Sequence, residues 1–226
     1  YLVQQFSAMG LEPAGEDGSY FSRVEVTAAV RWGPHTDLGF ASGDPESVES
    51  GPGKGVVFTA QGMDYAVAPF SSEGEFQGGV LFGGYCTQAA GQDDFSKWDL
   101  KGQVLLCLRD GPFTPAFRAS DQYKVFRARS RGAAAVFFIA GRSERELPAF
   151  APSPQAEEAG LPVYYVTADL AARVFQLSGE GAKFAAIQQQ ASRRGRPRPL
   201  RRDGVRAGGA VELIRERQQL PNGVGW

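Results

Sequence analysis

Three nearly continuous apolar runs constrain this chain more than anything else in it: residues 103–109 (QVLLCLR), 133–140 (AAAVFFIA) and 161–166 (LPVYYV). A strand that shows water on one face alternates apolar and polar residues. An unbroken apolar run instead predicts a strand covered on both faces, the usual situation of parallel strands with helices against the sheet. Residues 121–131 (DQYKVFRARSR) lie between the first two runs. They predict a helix, with Asp121 as N-cap and Gly132 at its end. After the third run, Thr167 is expected to cap a helix over residues 168–177 that Gly179 ends. Residues 181–191 predict one more helix. Strand, helix, strand, strand and helix in this order make an α/β layer.

The rest of the chain is turn-rich. It holds 29 Gly and 14 Pro in 226 residues, well above the usual combined share of about 12%. Short strands are expected at 19–29, 55–59, 66–70, 79–85 and 210–217, separated by Gly, Ser and Glu turns. Residues 33–54 read as loop with one short strand, and 192–202 (SRRGRPRPLRR) as a linker. At the start, Leu2, Val3, Phe6 and Met9 have helical spacing, and Gly10 and Pro13 stop the helix. The expected fold class is α+β: a β-sandwich or barrel carrying an inserted α/β layer, with short flanking helices.

Charge and composition exclude some functions. The net charge of −1 gives no strong overall field for nucleic acid or an anionic membrane. The six arginines of 192–202 leave 18 basic against 25 acidic residues elsewhere. No aromatic residues interleave those arginines for base stacking, so a solvated linker across an acidic surface is expected. The longest apolar run, 133–140, is far below the roughly 20 residues of a membrane-spanning helix. Tyr1 opens directly into an amphipathic segment, with no signal-peptide pattern. The two cysteines, Cys86 and Cys107, either pair or sit as two small buried residues.

Catalytic motifs are scarce. His35 is the one histidine, and one histidine cannot make an HExxH or multi-histidine zinc site. It reads as a surface loop residue. There is no GxSxG nucleophile elbow. Residues 51–55 (GPGKG) lack the spacing of a phosphate loop and read as a flexible turn. Asp93 and Asp94 are adjacent carboxylates that would need further ligands to hold Ca²⁺, so a solvated turn is expected. An autonomous hydrolase would need His35, Cys86, Cys107 or the Asp93–Asp94 pair to meet in a cleft.

One stretch carries more information. Residues 83–112 (GGYCTQAAGQDDFSKWDLKGQVLLCLRDGP) and 123–140 (YKVFRARSRGAAAVFFIA) resemble the protease-associated (PA) domain inserted in M28-family zinc aminopeptidases. The matching positions are Gly84 and Tyr85 of a Gly-Tyr-Gly turn, Asp93, Asp94 and Phe95, then Asp99, Lys101 and Gly102. Arg109 and Gly111 follow at a strand end, then Gly132, Ala133, Ala134 and Ala135. Cys86 replaces the second glycine of the turn, which suggests that positive φ is not needed there. Gln103 replaces a lysine. The flanks agree: the opening helix resembles the segment before the PA insertion, and residues 221–226 (PNGVGW) resemble the first strand of the peptidase sheet.

The resemblance implies a division into residues 1–50, which would pack on the peptidase domain, 51–191 as the PA domain, and 192–226 as linker and first peptidase strand. It implies a secreted or periplasmic bacterial zinc aminopeptidase whose metal ligands follow the last of these segments. No catalytic or metal-binding residue and no cofactor is then expected in this chain, the zinc residing in the catalytic domain. The implied role is binding: peptide or protein contact through Tyr85, Arg109, Asp110 and Phe117, and docking to the parent peptidase domain. A dimerisation module, with the two flanks self-associating, is the alternative.

Overall fold

The computed structural model describes residues 1–42, 55–57, 59–89, 92–109, 111, 120–140, 147–148, 158–193 and 197–223. The chain divides into two compact units, residues 1–31 with 214–226 and residues 32–213. The fold is α+β, as the sequence predicts.

The smaller unit holds helix α1 (Leu2–Ala8) and a two-stranded sheet of β1 (Phe21–Trp32) and β12 (Leu213–Gly223). Gly10 adopts φ +74° just past the helix, as a C-terminal stop should. Phe6 stacks obliquely on Tyr20 at 5.7 Å, and the Tyr20 hydroxyl donates to the Leu11 carbonyl at 2.6 Å. The strands carry ion pairs between Arg217 and Glu25 at 2.5 Å and between Arg31 and Glu216 at 3.6 Å. Tyr1, Leu2, Met9, Val24 and Leu220 remain exposed.

The larger unit is one sheet of eight strands: β2 (Asp37–Ser42), β3 (Val56–Val57), β4 (Tyr65–Val67), β5 (Gly74–Phe82), β8 (Val104–Leu108), β9 (Ala135–Ile139), β10 (Val163–Val166) and β11 (Leu200–Val211). A small hairpin, β6 (Gln88–Ala89) and β7 (Gln92–Asp93), stands apart. The order is β3-β2-β11-β5-β8-β9-β10-β4. β5, β8, β9 and β10 run parallel, with antiparallel strands on either side. Among the described residues this unit holds three helices: α2 (Asp121–Arg129), α3 (Ala168–Leu177) and α4 (Gly181–Ser192).

The apolar runs behave as predicted, because successive residues serve two cores. Val136 and Phe138 of β9 face one core with Leu105, Cys107, Val163, Tyr165 and Val125 and Ala128 of α2. Phe137, between them, faces the other. There it meets Phe40 at 5.8 Å, Phe76 at 5.5 Å and Tyr164 at 5.3 Å, edge to face. Strands spaced about 4.8 Å apart would put β2 and β9 roughly 19 Å apart in a flat sheet. The Phe40–Phe137 contact therefore requires the sheet to curl like a barrel.

Hydrogen bonds hold the curl. The Tyr164 hydroxyl lies 2.8 Å from the Ala210 carbonyl of β11 and 3.0 Å from the Asp37 carbonyl of β2. The Tyr65 hydroxyl donates to the Thr36 carbonyl at 3.3 Å. Burial, then the nearby charge of Asp37, pushes Tyr65 up to about 12. Burial, then Tyr65 and Asp37, pushes Tyr164 further in the same direction. Both hydroxyls therefore stay protonated and donate.

Several expectations change. Ser120, not Asp121, is the N-cap of α2, its hydroxyl accepting from the Tyr123 amide at 3.3 Å. Asp121 sits in the first turn, where a carboxylate also favours the helix. Thr167 caps α3 as expected, accepting from the Leu170 amide at 3.1 Å. The supposed linker starts β11 at Leu200, and β11 lies between β2 and β5. Both β2 and β11 thus join strands of the middle segment, so the compact units cut the chain elsewhere than at 50 and 192. The GPGKG turn, apart from its last glycine, lies outside the described residues.

Candidate functional site

Parallel strands bring their carboxyl ends to one edge of a sheet, the usual place for a ligand in α/β folds. Arg109 directly follows β8 at that edge. Its Nε donates to Asp121 Oδ2 at 3.1 Å, and its guanidinium lies 4.8 Å from the Tyr165 ring centroid. The Tyr165 hydroxyl donates to the same Asp121 oxygen at 3.0 Å. Lys124, one turn further along α2 and wholly buried, donates from Nζ to the Leu108 carbonyl at 2.9 Å.

This geometry follows from the βαβ connection. α2 begins where β8 ends, so its first turn delivers Asp121 to Arg109, while β10 supplies Tyr165 on the face that α2 covers. A guanidinium is suited to a carboxylate, and Arg109 meets one within its own chain. Of the other expected contact residues, Tyr85 is buried at 7% exposure. Asp110 and Phe117 lie outside the described residues. Sequence reading missed Asp121 and Tyr165 as partners of Arg109. Period-two alternation through VYYV would have placed Tyr165 on the α2 face, away from Tyr164.

The turn after β5 forms a second cluster. Cys86 and Cys107 form a disulfide, which resolves their state and removes either thiolate as a nucleophile. Cys86 adopts φ +56° and Gly84 φ +63°. The expectation that cysteine releases this turn from positive φ is thus overturned: the left-handed conformation persists. At Gly84 a Cβ would lie 2.7 Å from the Pro197 carbonyl oxygen, so the chain passes too close for a side chain.

The neighbouring carboxylates are engaged rather than solvated. Asp94 is buried, and its Oδ2 accepts from the Thr87 amide at 3.0 Å. Asp93 pairs with Arg127 at 2.5 Å and Arg131 at 2.8 Å. Burial alone would raise the Asp93 pKa. The Phe95 amide, Arg127 and Arg131 outweigh it and hold the carboxyl below its ordinary value.

A lowered folded-state pKa contributes stability that is present above the ordinary carboxylate range and lost as pH falls through the folded value. The stability difference between wild type and Asp93→Asn should therefore be constant near neutrality and shrink below about pH 4. Urea midpoints across that range test this. A difference that stays constant into acid would show that the charge of Asp93 contributes nothing.

His35 is exposed, and its backbone amide donates to Glu212 Oε2 at 3.0 Å. The Thr36 hydroxyl and the Gly33 amide donate to the Glu212 carbonyl at 3.1 and 2.8 Å. This loop is thus tied to the end of β11. Among the described residues no group of three His, Cys, Asp or Glu side chains is placed to hold a metal ion. A shallow concavity of about 510 Å³ lies between β3 and α3, with Val56, Val57, Arg173 and Gln176 in its wall. Among the described residues no helix is long and apolar enough to cross a membrane.

No family model and no curated protein matches the sequence. Among solved structures, an aminopeptidase from Aneurinibacillus sp. strain AM-1 is similar with a TM-score of 0.46 at 14% identity, over 98% of this chain and 39% of that one. BSAP, a zinc aminopeptidase from Bacillus subtilis, follows with 0.40 at 13% identity, over 96% and 38%. The subtilisin-like protease Apa1 from the Antarctic psychrotroph Pseudoalteromonas sp. AS-11 gives 0.28 at 10%, over 90% and 36%. The chain spans about two fifths of the length of each aminopeptidase.

Proposed function

We propose that this chain is a protease-associated domain with its flanking segments from an M28-type zinc aminopeptidase, a noncatalytic module that binds peptide or protein and governs substrate access to a peptidase domain. The observation that carries this reading is the structural role of the resembling residues. They are the joints of the α/β layer. Gly102 and Gly132 adopt φ +67° and +80°, and the Gly102 amide donates to the Gly132 carbonyl at 2.9 Å. That bond joins the turn before β8 to the turn before β9. Asp99 Oδ1 receives the Lys101 amide at 3.0 Å in the same turn. Asp93 and Asp94 fasten the segment after β5. A motif made of joints specifies a scaffold, and a scaffold with an arginine at its strand ends suits binding.

The smaller unit supports docking. A two-stranded ribbon is at best marginally stable alone, and helix α1 of the same unit exposes Tyr1 at 88%, Met9 at 63% and Leu2 at 52%. A peptidase domain would cover such a surface; self-association through it is the competing use. The disulfide supports a secreted or periplasmic location, since such bonds persist in oxidising compartments. Zinc, and the water activation it supplies, would belong to the peptidase domain.

One assay tests the reading. The chain, with zinc added, is incubated with a mixture of peptides, and retained and cleaved species are counted by mass spectrometry. Retention without cleavage is expected, and Arg109→Ala should weaken it about tenfold, the worth of a hydrogen-bonded charge. Cleavage that a chelator abolishes would sink the noncatalytic reading. Retention unchanged in a folded Arg109→Ala variant would remove Arg109 from the site.

A further inference from the structure

The disulfide closes a loop of sequence separation 21 between the turn after β5 and the middle of β8. Both cysteines are wholly buried, among Phe95, Leu81 and Leu105. The parallel ladder of β5 and β8 already continues across this point: the Gly83 amide donates to the Leu106 carbonyl at 2.9 Å and the Leu108 amide to the Gly84 carbonyl at 2.7 Å. The strands therefore do not need a covalent bond to meet.

Cys86 itself does. It is one of two non-glycine residues with positive φ among the described residues. An L-residue in the left-handed region is disfavoured by a factor of about ten. In that conformation its amide donates to the Gly83 carbonyl at 2.9 Å, and its carbonyl accepts from Arg127 Nη1 at 3.2 Å. Arg127 in turn holds Asp93. Gly83 fits because it lacks a side chain: a Cβ there would lie 2.5 Å from the Cys86 sulfur.

We propose that the Cys86–Cys107 bond is an oxidation-set latch for the Gly84–Tyr85–Cys86 turn. Closing it holds Cys86 left-handed, aims its carbonyl at Arg127 and so completes the corner that fastens Asp93. Once closed, burial shields both sulfurs from reductant in the native protein. The closing chemistry is disulfide exchange with an oxidant such as oxidised glutathione. One protein thiolate attacks the oxidant and releases one glutathione thiolate. The second attacks the mixed disulfide and releases the other. The protein gives up two electrons and two protons, and the oxidant becomes two thiols. In the reduced chain Cys86 relaxes towards extended backbone and its carbonyl leaves Arg127.

Two measurements test the latch. Oxidised native protein treated with dithiothreitol and an alkylating agent should gain no adduct, whereas the same protein in guanidinium should gain two. Amide exchange is then followed at Cys86 and Leu108 in oxidised protein, in protein reduced in denaturant and refolded under reductant, and in Cys86→Gly/Cys107→Ala. Reduction should speed exchange at both amides about tenfold. The glycine variant should recover most of the protection, because glycine takes positive φ without penalty. Native alkylation as fast as in guanidinium overturns the shielding. Equal protection in oxidised and in reduced wild-type protein overturns the latch. If the reduced chain does not refold, the glycine variant decides: a protected turn supports the latch and an unprotected one ends it.

Discussion

Replacing Phe137 with alanine destabilises the larger unit by about 3–5 kcal/mol, the usual cost of emptying a buried phenylalanine site. The magnitude lies at the upper end because Phe137 is the hinge of the curl. It is wholly buried, in the centre of β9. Three aromatic edges converge on it, from β2, β5 and β10. Edge-to-face pairs add roughly 0.5–1.5 kcal/mol each beyond area burial. The neighbours cannot easily fill the vacancy, since Tyr164 is tethered by its hydroxyl to β2 and β11. Phe137→Leu keeps most of the volume and should cost less than half as much. Guanidinium denaturation measures both. An alanine cost below about 1.5 kcal/mol would mean that the site collapses freely and that this aromatic cluster does not hold the curl.

The part of the fold that the sequence shows is the part where local pattern and tertiary demand agree. The runs at 103–109, 133–140 and 161–166 became β8, β9 and β10, because only strands buried on both faces use consecutive apolar residues. Thr167 and Gly179 bracket α3 because a hydroxyl cap and a glycine at positive φ each act within one turn. The failures lie where a long-range partner decides. Residues 200–202 end the basic run that reads as a linker and residues 203–209 carry three glycines, yet Leu200–Val211 is a strand with β2 on one side and β5 on the other. Sheet pairing uses backbone groups and leaves no signature in side-chain hydropathy. The one short strand expected within 33–54 is β2, Asp37–Ser42, whose bounds the surrounding Gly and Pro blur.

Site residues show the same limit. Arg109 was singled out from its strand-end position, but its carboxylate partner comes from the first turn of the following helix, 12 residues on. The Asp93–Asp94 pair read as solvated because adjacent acids usually are; the arginines that neutralise Asp93 sit on and just beyond a helix 34 and 38 residues away. For Cys86 the sequence offered a substitution of glycine, from which a relaxed turn follows. The fold keeps the glycine-like conformation and adds a covalent bond.

Those arginines give the second large effect. Arg127→Ala should cost about 3 kcal/mol, within the range for removing one partner of a buried ion pair. Arg127 is only 9% exposed, and Asp93 16%. Its guanidinium also donates to the Cys86 carbonyl and lies 4.8 Å from the Phe95 ring centroid. Deleting it strands a partly desolvated carboxylate, an unpaired carbonyl and an uncovered aromatic face together. Arg131, 39% exposed, still reaches Asp93 at 2.8 Å, which keeps the loss from the top of the range. Arg127→Lys retains the charge but not the fork that serves carboxylate and carbonyl at once, so it should recover less than half of the loss. Arg31→Ala breaks a pair in which both side chains are more than 60% exposed and should change stability by less than about 0.5 kcal/mol. Adding Asp93→Asn to Arg127→Ala should cost little more than Arg127→Ala alone, because the neutral amide no longer needs the lost cation. Urea midpoints for the four variants and the double mutant separate these effects. If the Arg127 and Asp93 losses simply add, the two residues stabilise the corner independently and the ion pair is not what fastens it.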